Sequence, residues 1–186
     1  MGFVIATVVS LALAQLVARC APHVGPLTMS AIVAYESGGR PYAIGDNTAR
    51  RAYFPNDRVQ ATQLATRLLR AGHDIDVGYA QINTSNFRAF GLDLERAFEP
   101  CTNLATGSRI LRADYAGAAR AFGPGQRALA SALSAYNTGG FFAGLTYARD
   151  VYAIAATLRY ERRTPRVPQA MRAVPFVPAA AERGER

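Results

Sequence analysis

The sequence predicts a mainly α-helical domain with one short extended or irregular segment. Three observations carry that reading. Apolar residues recur at helical spacing in several runs, such as Ala61, Leu64, Ala65 and Leu68. Glycine and proline punctuate the ends of those runs, at Gly38-Gly39, Gly72, Gly91 and Gly123-Pro124-Gly125. Only Val77 to Asn83 alternates polar and apolar residues with a period of two. With 186 residues, half of them apolar, the chain can build one domain with a real core plus terminal extensions.

Taken in order, residues 1–14 hold an apolar run, Val4 to Leu13, closing on the small-x-small pattern Ala12-Leu13-Ala14. This predicts an export signal cleaved after Ala14, the alternative being a buried first helix. Arg19 closes the apolar stretch at a length short for a membrane span. Export places the chain in the periplasm, an oxidising compartment. There Cys20 and Cys101 are expected to pair, the alternative being two buried thiols. Such a bridge closes a loop of about 80 residues and contributes on the order of 4 kcal/mol in the chain-entropy model.

A helix is expected from Leu27 or Thr28 to about Glu36. Arg40 to Asn56 lacks any period and reads as a long loop, the kind of segment that is often functional. Asp57 caps a scaffold helix that Gly72 stops, and His73 and Asp74 read as surface turn residues. In the alternating stretch, Tyr79, Gln81 and Asn83 are expected on one face, with Ala80 and Ile82 opposite. Thr84, Ser85 or Asn86 caps a short helix to Phe90. Pro100 opens a longer helix that ends before Gly123, and another spans Gln126 to Asn137. The last covers Leu145 to Leu158, with Tyr147 and Val151 on its buried side. Residues 159–186 are rich in Arg and Pro without period and read as a basic disordered tail. That leaves residues 15–158 as the folded domain.

The net charge of +8 comes from arginine, since the chain contains no lysine. It favours an anionic partner such as nucleic acid, headgroups or an acidic wall polymer. No basic recognition helix, aromatic stacking motif or glycine-rich phosphate loop supports nucleic acid. Two histidines and two cysteines offer little for a Cys/His metal cluster, and no metal or cofactor is expected.

Three stretches present polar side chains at breaks in regular structure. In Tyr35-Glu36-Ser37-Gly38-Gly39, an apolar helix ends in a carboxylate and a hydroxyl. Backed by Ile32 and Val33, Glu36 can be partly desolvated, which raises its pKa and suits it to donate a proton near neutrality. Taken alone, the stretch reads as a solvated Glu at a helix C-terminus. Gly78-Tyr79-Ala80-Gln81-Ile82-Asn83 carries amides and a phenol, groups that both donate and accept and so suit a hydroxylated, acetamido-bearing ligand. Ala135-Tyr136-Asn137-Thr138-Gly139 repeats the helix-end arrangement.

Together, in this order, these stretches resemble the lytic transglycosylases of the lysozyme-like superfamily. The narrower likeness is to the peptidoglycan-cleaving subunit of type IV secretion systems, supported by Cys20-Ala21-Pro22, Pro41-Tyr42-Ala43-Ile44 and Cys101-Thr102-Asn103-Leu104. The resemblance covers about residues 15–158. It implies a helical domain of the goose-type lysozyme or soluble lytic transglycosylase kind, with a small irregular or β segment beside the cleft. It implies cleavage of the β-1,4 bond between N-acetylmuramic acid and N-acetylglucosamine in peptidoglycan strands, leaving 1,6-anhydromuramyl ends, and type IV secretion or conjugation components as partners. Glu36 matches the catalytic acid. Ser37 matches the hydroxyl that steadies acid and substrate. Tyr79, Gln81, Asn83, Tyr136 and Asn137 fall at substrate-binding positions. Hydrolysing glycosidases commonly use two carboxylates. Asp46, Asp57, Asp74 and Asp76 all fall outside the matched motifs, so Glu36 is expected to work alone, first as acid and then as base. The competing readings are a lysozyme-type hydrolase on the same fold and a non-catalytic glycan-binding assembly protein.

Overall fold

The computed structural model describes residues 11–163, and the domain it shows is mainly helical with a small sheet, as the sequence predicts. Helix α1 (Leu11–Cys20) buries Leu13, Val17 and Cys20 and packs on α2 and α6. It runs across the expected cleavage point after Ala14. The first ten residues of the expected leader lie outside the described residues.

Helix α2 (Pro26–Ser37) is the centre of the molecule. Met29 to Ala34 are all buried, Ser30 being the one polar side chain among them, the mark of a helix enclosed by others. It starts at Pro26, whose missing N–H costs nothing at the first turn. It ends where Gly38 takes a left-handed conformation (φ 60°) and donates its N–H to the Val33 carbonyl. The long helices α6 (Pro100–Phe122), α7 (Gln126–Thr138) and α8 (Leu145–Arg163) pack around it, α6 on α7, α7 on α8 and α8 on α2. Helix α8 continues past the expected stop at Leu158, and the expected tail from residue 164 onward lies outside the described residues. The Cys20–Cys101 disulfide forms and ties α1 to the start of α6.

The stretch from Arg40 to Asn56 is not a structureless loop. It contains strands β1 (Ile44–Asp46) and β2 (Arg51–Tyr53), which pair as a hairpin. Three-residue strands leave too few positions for a readable period. Strand β3 (Ile75–Val77) pairs with β1 and β4 (Ile82–Asn83) with β3, giving an antiparallel sheet in the order β2-β1-β3-β4. Ile44, Ile75 and Val77 form a second small core with Ala61, Ala65 and Leu68 of α3 (Arg58–Arg70) and with Phe98. Two single-turn helices, α4 (Phe87–Phe90) and α5 (Leu94–Ala97), connect the sheet to α6. Their brevity hid α5 from the sequence reading.

The alternating stretch does not form one extended strand. Gly78 to Gln81 make a turn between β3 and β4. Gly78 has φ 81° and Gln81 φ 45°, and the Gln81 N–H returns to the Gly78 carbonyl. Tyr79, Gln81 and Asn83 therefore do not share a strand face.

Candidate active site

The sheet and the helical bundle meet at a cleft of about 650 Å³. One wall is formed by the sheet, with Asp76 of β3, Gln81 of the 78–81 turn and Asn83 of β4. The other is helical, with Ile110 of α6 and Tyr136 and Asn137 at the end of α7. Glu36, on the last turn of α2, lies between them.

Glu36 is partly buried, and one phenol reaches it. The Tyr147 hydroxyl donates to Glu36 Oε1 at 2.7 Å. Burial pushes the Glu36 carboxyl up to about 7; the Tyr147 hydrogen bond opposes this, and the negative charge of Asp76 adds to it. The group is therefore divided between acid and carboxylate near neutral pH, the condition for one side chain to give and then take a proton. Tyr147 sits on α8, 3% exposed, edge-on to Tyr35 and stacked 6.5 Å from Tyr136. Burial and the nearby Glu36 push its phenol far up, so it remains a proton-bearing donor. The sequence reading placed Tyr147 only on the buried side of its helix. Its polar tip on an otherwise apolar face was the available signal, since a buried phenol needs a partner.

Ser37 does not face the cleft. It is 3% exposed, and its hydroxyl lies 2.9 Å from the Tyr79 carbonyl and 3.0 Å from that of Val33. Its hydroxyl is engaged by backbone carbonyls, and Ser37 is absent from the cleft lining. It braces the acid indirectly by fastening the last turn of α2 to the 78–81 turn. Tyr79 likewise packs against the main core and is absent from the cleft lining. Its ring is directed inward because the turn, not a strand, sets its direction.

Gln81 and Asn83 do line the cleft. The Gln81 amide donates to the carbonyls of Gly78 (2.8 Å) and Ala43 (3.1 Å), which pins its unusual backbone. Asn83 accepts from Ser85 N and donates to Asp74 Oδ1 at 2.7 Å. Asn137 is exposed at the cleft edge. The Tyr136 hydroxyl donates to the Ala80 carbonyl at 2.7 Å, so it clamps the two walls together and does not reach Glu36 by hydrogen bond.

The turn between the walls depends on Asn103, which the sequence placed only in a matched segment. It is buried on α6. Its amide donates to the carbonyls of Val77 (2.9 Å) and Ala97 (2.8 Å), and its Oδ1 accepts from Ala80 N at 2.8 Å. A Cβ on Gly78 would collide with that amide. An asparagine among apolar helical neighbours was the available signal.

Two further corrections concern carboxylates. Asp74 and Asp76 both line the cleft with Glu36, so the acid does not stand there without company. Asp74 is thus more than a turn residue. His73 is bound as well, its Nδ1 lying 2.8 Å from Asp46 Oδ2.

Comparison with known proteins agrees with this architecture. Residues 15–150 match the family model described as the transglycosylase SLT domain. The chain is 41% identical over 142 residues to protein virB1 of Agrobacterium fabrum (strain C58), covering 75% of this chain and 58% of the relative. It is 42% identical over 127 residues to type IV secretion system protein virB1 of Brucella abortus biovar 1 (strain 9-941), covering 68% of this chain and 53% of that protein. The chain therefore spans somewhat over half the length of these relatives. No solved structure matches it.

Proposed function

We propose, from the premise that this chain belongs to the transglycosylase SLT domain family, that it is a peptidoglycan lytic transglycosylase with Glu36 as its acid and base. The observation that carries the reading is the partly buried Glu36, held by the Tyr147 hydroxyl and lining a polar cleft. Protonated Glu36 gives its proton to the glycosidic oxygen between N-acetylmuramic acid and N-acetylglucosamine as the C1–O bond breaks. The carbonyl oxygen of the muramyl acetamido group closes on C1 and takes up the positive charge. Glu36, now a carboxylate, removes the proton of the C6 hydroxyl. O6 then attacks C1, releasing the acetamido group and leaving a 1,6-anhydro ring. No water enters the product. Gln81, Asn83 and Asn137 hold sugar hydroxyl and amide groups along the cleft, while Ser37, Tyr79 and Tyr136 hold the cleft's own shape.

The relatives' names support a setting in type IV secretion or conjugation, where a local opening in the wall lets the apparatus pass. The N-terminal apolar run directs export to the periplasm, where the Cys20–Cys101 bridge is stable. Among the described residues no helix is long and apolar enough to cross a membrane.

The presence of Asp74 and Asp76 in the cleft favours a second reading, a hydrolase that activates water. Mass spectrometry of fragments released from purified peptidoglycan separates the two, because anhydro ends are one water lighter than reducing ends. Glu36→Gln is expected to keep the fold and to lose roughly 10²–10⁴-fold in rate. Native-like digestion by that variant would remove Glu36 from the mechanism.

A further inference from the structure

We propose that Arg40, seated on the ring of Phe54, recognises a carboxylate of the peptide stem that N-acetylmuramic acid carries, so that the protein selects strands bearing acidic stems. This rests on the transglycosylase reading above.

Arg40 follows the left-handed turn that ends α2, four positions after Glu36. Three features seat its guanidinium. Cζ lies 4.6 Å from the centroid of the Phe54 ring. Nη1 donates to the Ser37 carbonyl at 3.4 Å. The third is the open face of Gly38, where a Cβ would come within 2.6 Å of Nη1. A side chain held in this way has given up much of its rotamer freedom before any ligand arrives. Yet Arg40 forms no ion pair among the described residues. One carbonyl contact leaves most of its N–H groups open.

The sheet connects this seat to the cleft. Its register places Ala52, Gly45, Asp76 and Asn83 in one row across β2, β1, β3 and β4. Paired residues share a face, and Asp76 and Asn83 line the cleft. A Cβ on Gly45 would meet Gln81 Oε1 at 2.8 Å and the Asp76 side chain at 3.7 Å, which puts Gly45 on that same side. Gly45 and Ala52 thus carry the cleft face outward with no side chain larger than a methyl. Phe54, two positions past Ala52 and 54% exposed, stands beside the outer end of the row.

Chain geometry bounds the reach. Successive Cα atoms are about 3.8 Å apart, so the Cα of Gly38 lies within about 8 Å of that of Glu36, and the guanidinium adds about 4 Å. A sugar held at Glu36 bears its peptide on the lactyl group at C3, and two extended residues span about 7 Å. A carboxylate early in the stem therefore reaches Arg40 while C1 of the same sugar lies at the acid. Charge decides the class of ligand. The described cleft lining has Glu36, Asp74 and Asp76 and no arginine, so an anionic stem is repelled there and drawn to the rim. A guanidinium meets a carboxylate through two parallel N–H···O bonds, and the ring under Arg40 fixes the plane of that fork.

The experiment compares the full chain with Arg40→Gln on two substrates. One is purified glycan strands with intact stems; the other is the same strands with their stem carboxylates converted to amides. Product masses, kcat, KM and melting temperature are measured together. Arg40→Gln is expected to raise KM about tenfold on intact strands, with kcat changed less than about threefold. Amidation is expected to raise the KM of the native chain by a similar factor. It leaves the protein untouched, so it tests the pairing even if Arg40→Gln unfolds. The two changes together are expected to cost no more than either alone, since each removes the same pair. A native KM in folded Arg40→Gln on intact strands would overturn the inference, as would a native chain indifferent to amidation. An equal loss on both substrates would also overturn it, since a role confined to capping α2 gives that result. Reducing ends from the native chain, with the preference for unamidated stems intact, would overturn the transglycosylase reading and not this inference.

Discussion

Replacing Glu36 by glutamine should make this protein more stable at neutral pH, by an amount that vanishes in acid. In the unfolded chain Glu36 releases its proton near its ordinary value of 4.5; in the folded chain it does so near 7. Between those values the folded state binds the extra proton. Stability is therefore fully present below about 4.5 and is lost as pH rises through about 7. The displacement of about 2.5 pH units, at about 1.4 kcal/mol each, sets an upper value of about 3 kcal/mol. Partial solvent access and residual structure in the unfolded chain will reduce it. The glutamine side chain has no charge to desolvate and can still accept from Tyr147. The assay is urea unfolding of both proteins from pH 4 to pH 8. Near pH 4 the two should coincide within the usual effect of a conservative change. At pH 8 the glutamine variant should be ahead by about 2–3 kcal/mol, a melting-temperature gain of roughly 5–10 °C for a domain of this size. A difference independent of pH, or one that grows toward acid, would refute the claim that Glu36 is held protonated by burial. Comparing the two proteins cancels the contribution of Asp114, whose carboxyl burial also raises; Asp76 is coupled to Glu36 and cancels only in part.

Three other substitutions test the supporting structure. Tyr147→Phe removes the donor that favours ionised Glu36, so the Glu36 pKa should rise further. The upper limb of the activity–pH profile should move up by about one to two pH units, and an unmoved limb would exclude this role. Gly78→Ala should destabilise by more than about 2 kcal/mol and impair activity, because an alanine at φ 81° is strained and its Cβ meets the Asn103 amide; chemical denaturation measures the cost. Replacing Cys20 and Cys101 together by serine should cost about 4 kcal/mol, since the bridge spans 81 positions, and should leave the pH profile of the surviving activity unchanged.

Much of the helical frame was legible locally. Periodicity and glycine stops placed α2, α3, α6 and α7 to within a residue or two, because each needs only its own apolar face and its own caps. The place of Glu36 at a helix end was legible too, since an apolar helix ending in Glu36 before two glycines is a local statement. The sheet was not. Strands of two or three residues carry no period, and a turn between two of them produced the false alternation of Tyr79, Gln81 and Asn83.

What the sequence by itself determined is the order of the helices, the place of Glu36 at the end of α2 and the resemblance that the family match bears out. What only the tertiary structure decided is which polar groups share the cleft with Glu36. Tyr147, 111 positions away, becomes its hydrogen-bond partner, while Ser37, its immediate neighbour, turns inward to a carbonyl. Asp76 joins the cleft because a buried Ile75 and Val77 leave its side chain no other direction. Hydrogen bonds and charges act over a few ångströms of space. A helix end specifies what it can offer, and the packing of α8 and the sheet against it specifies what answers.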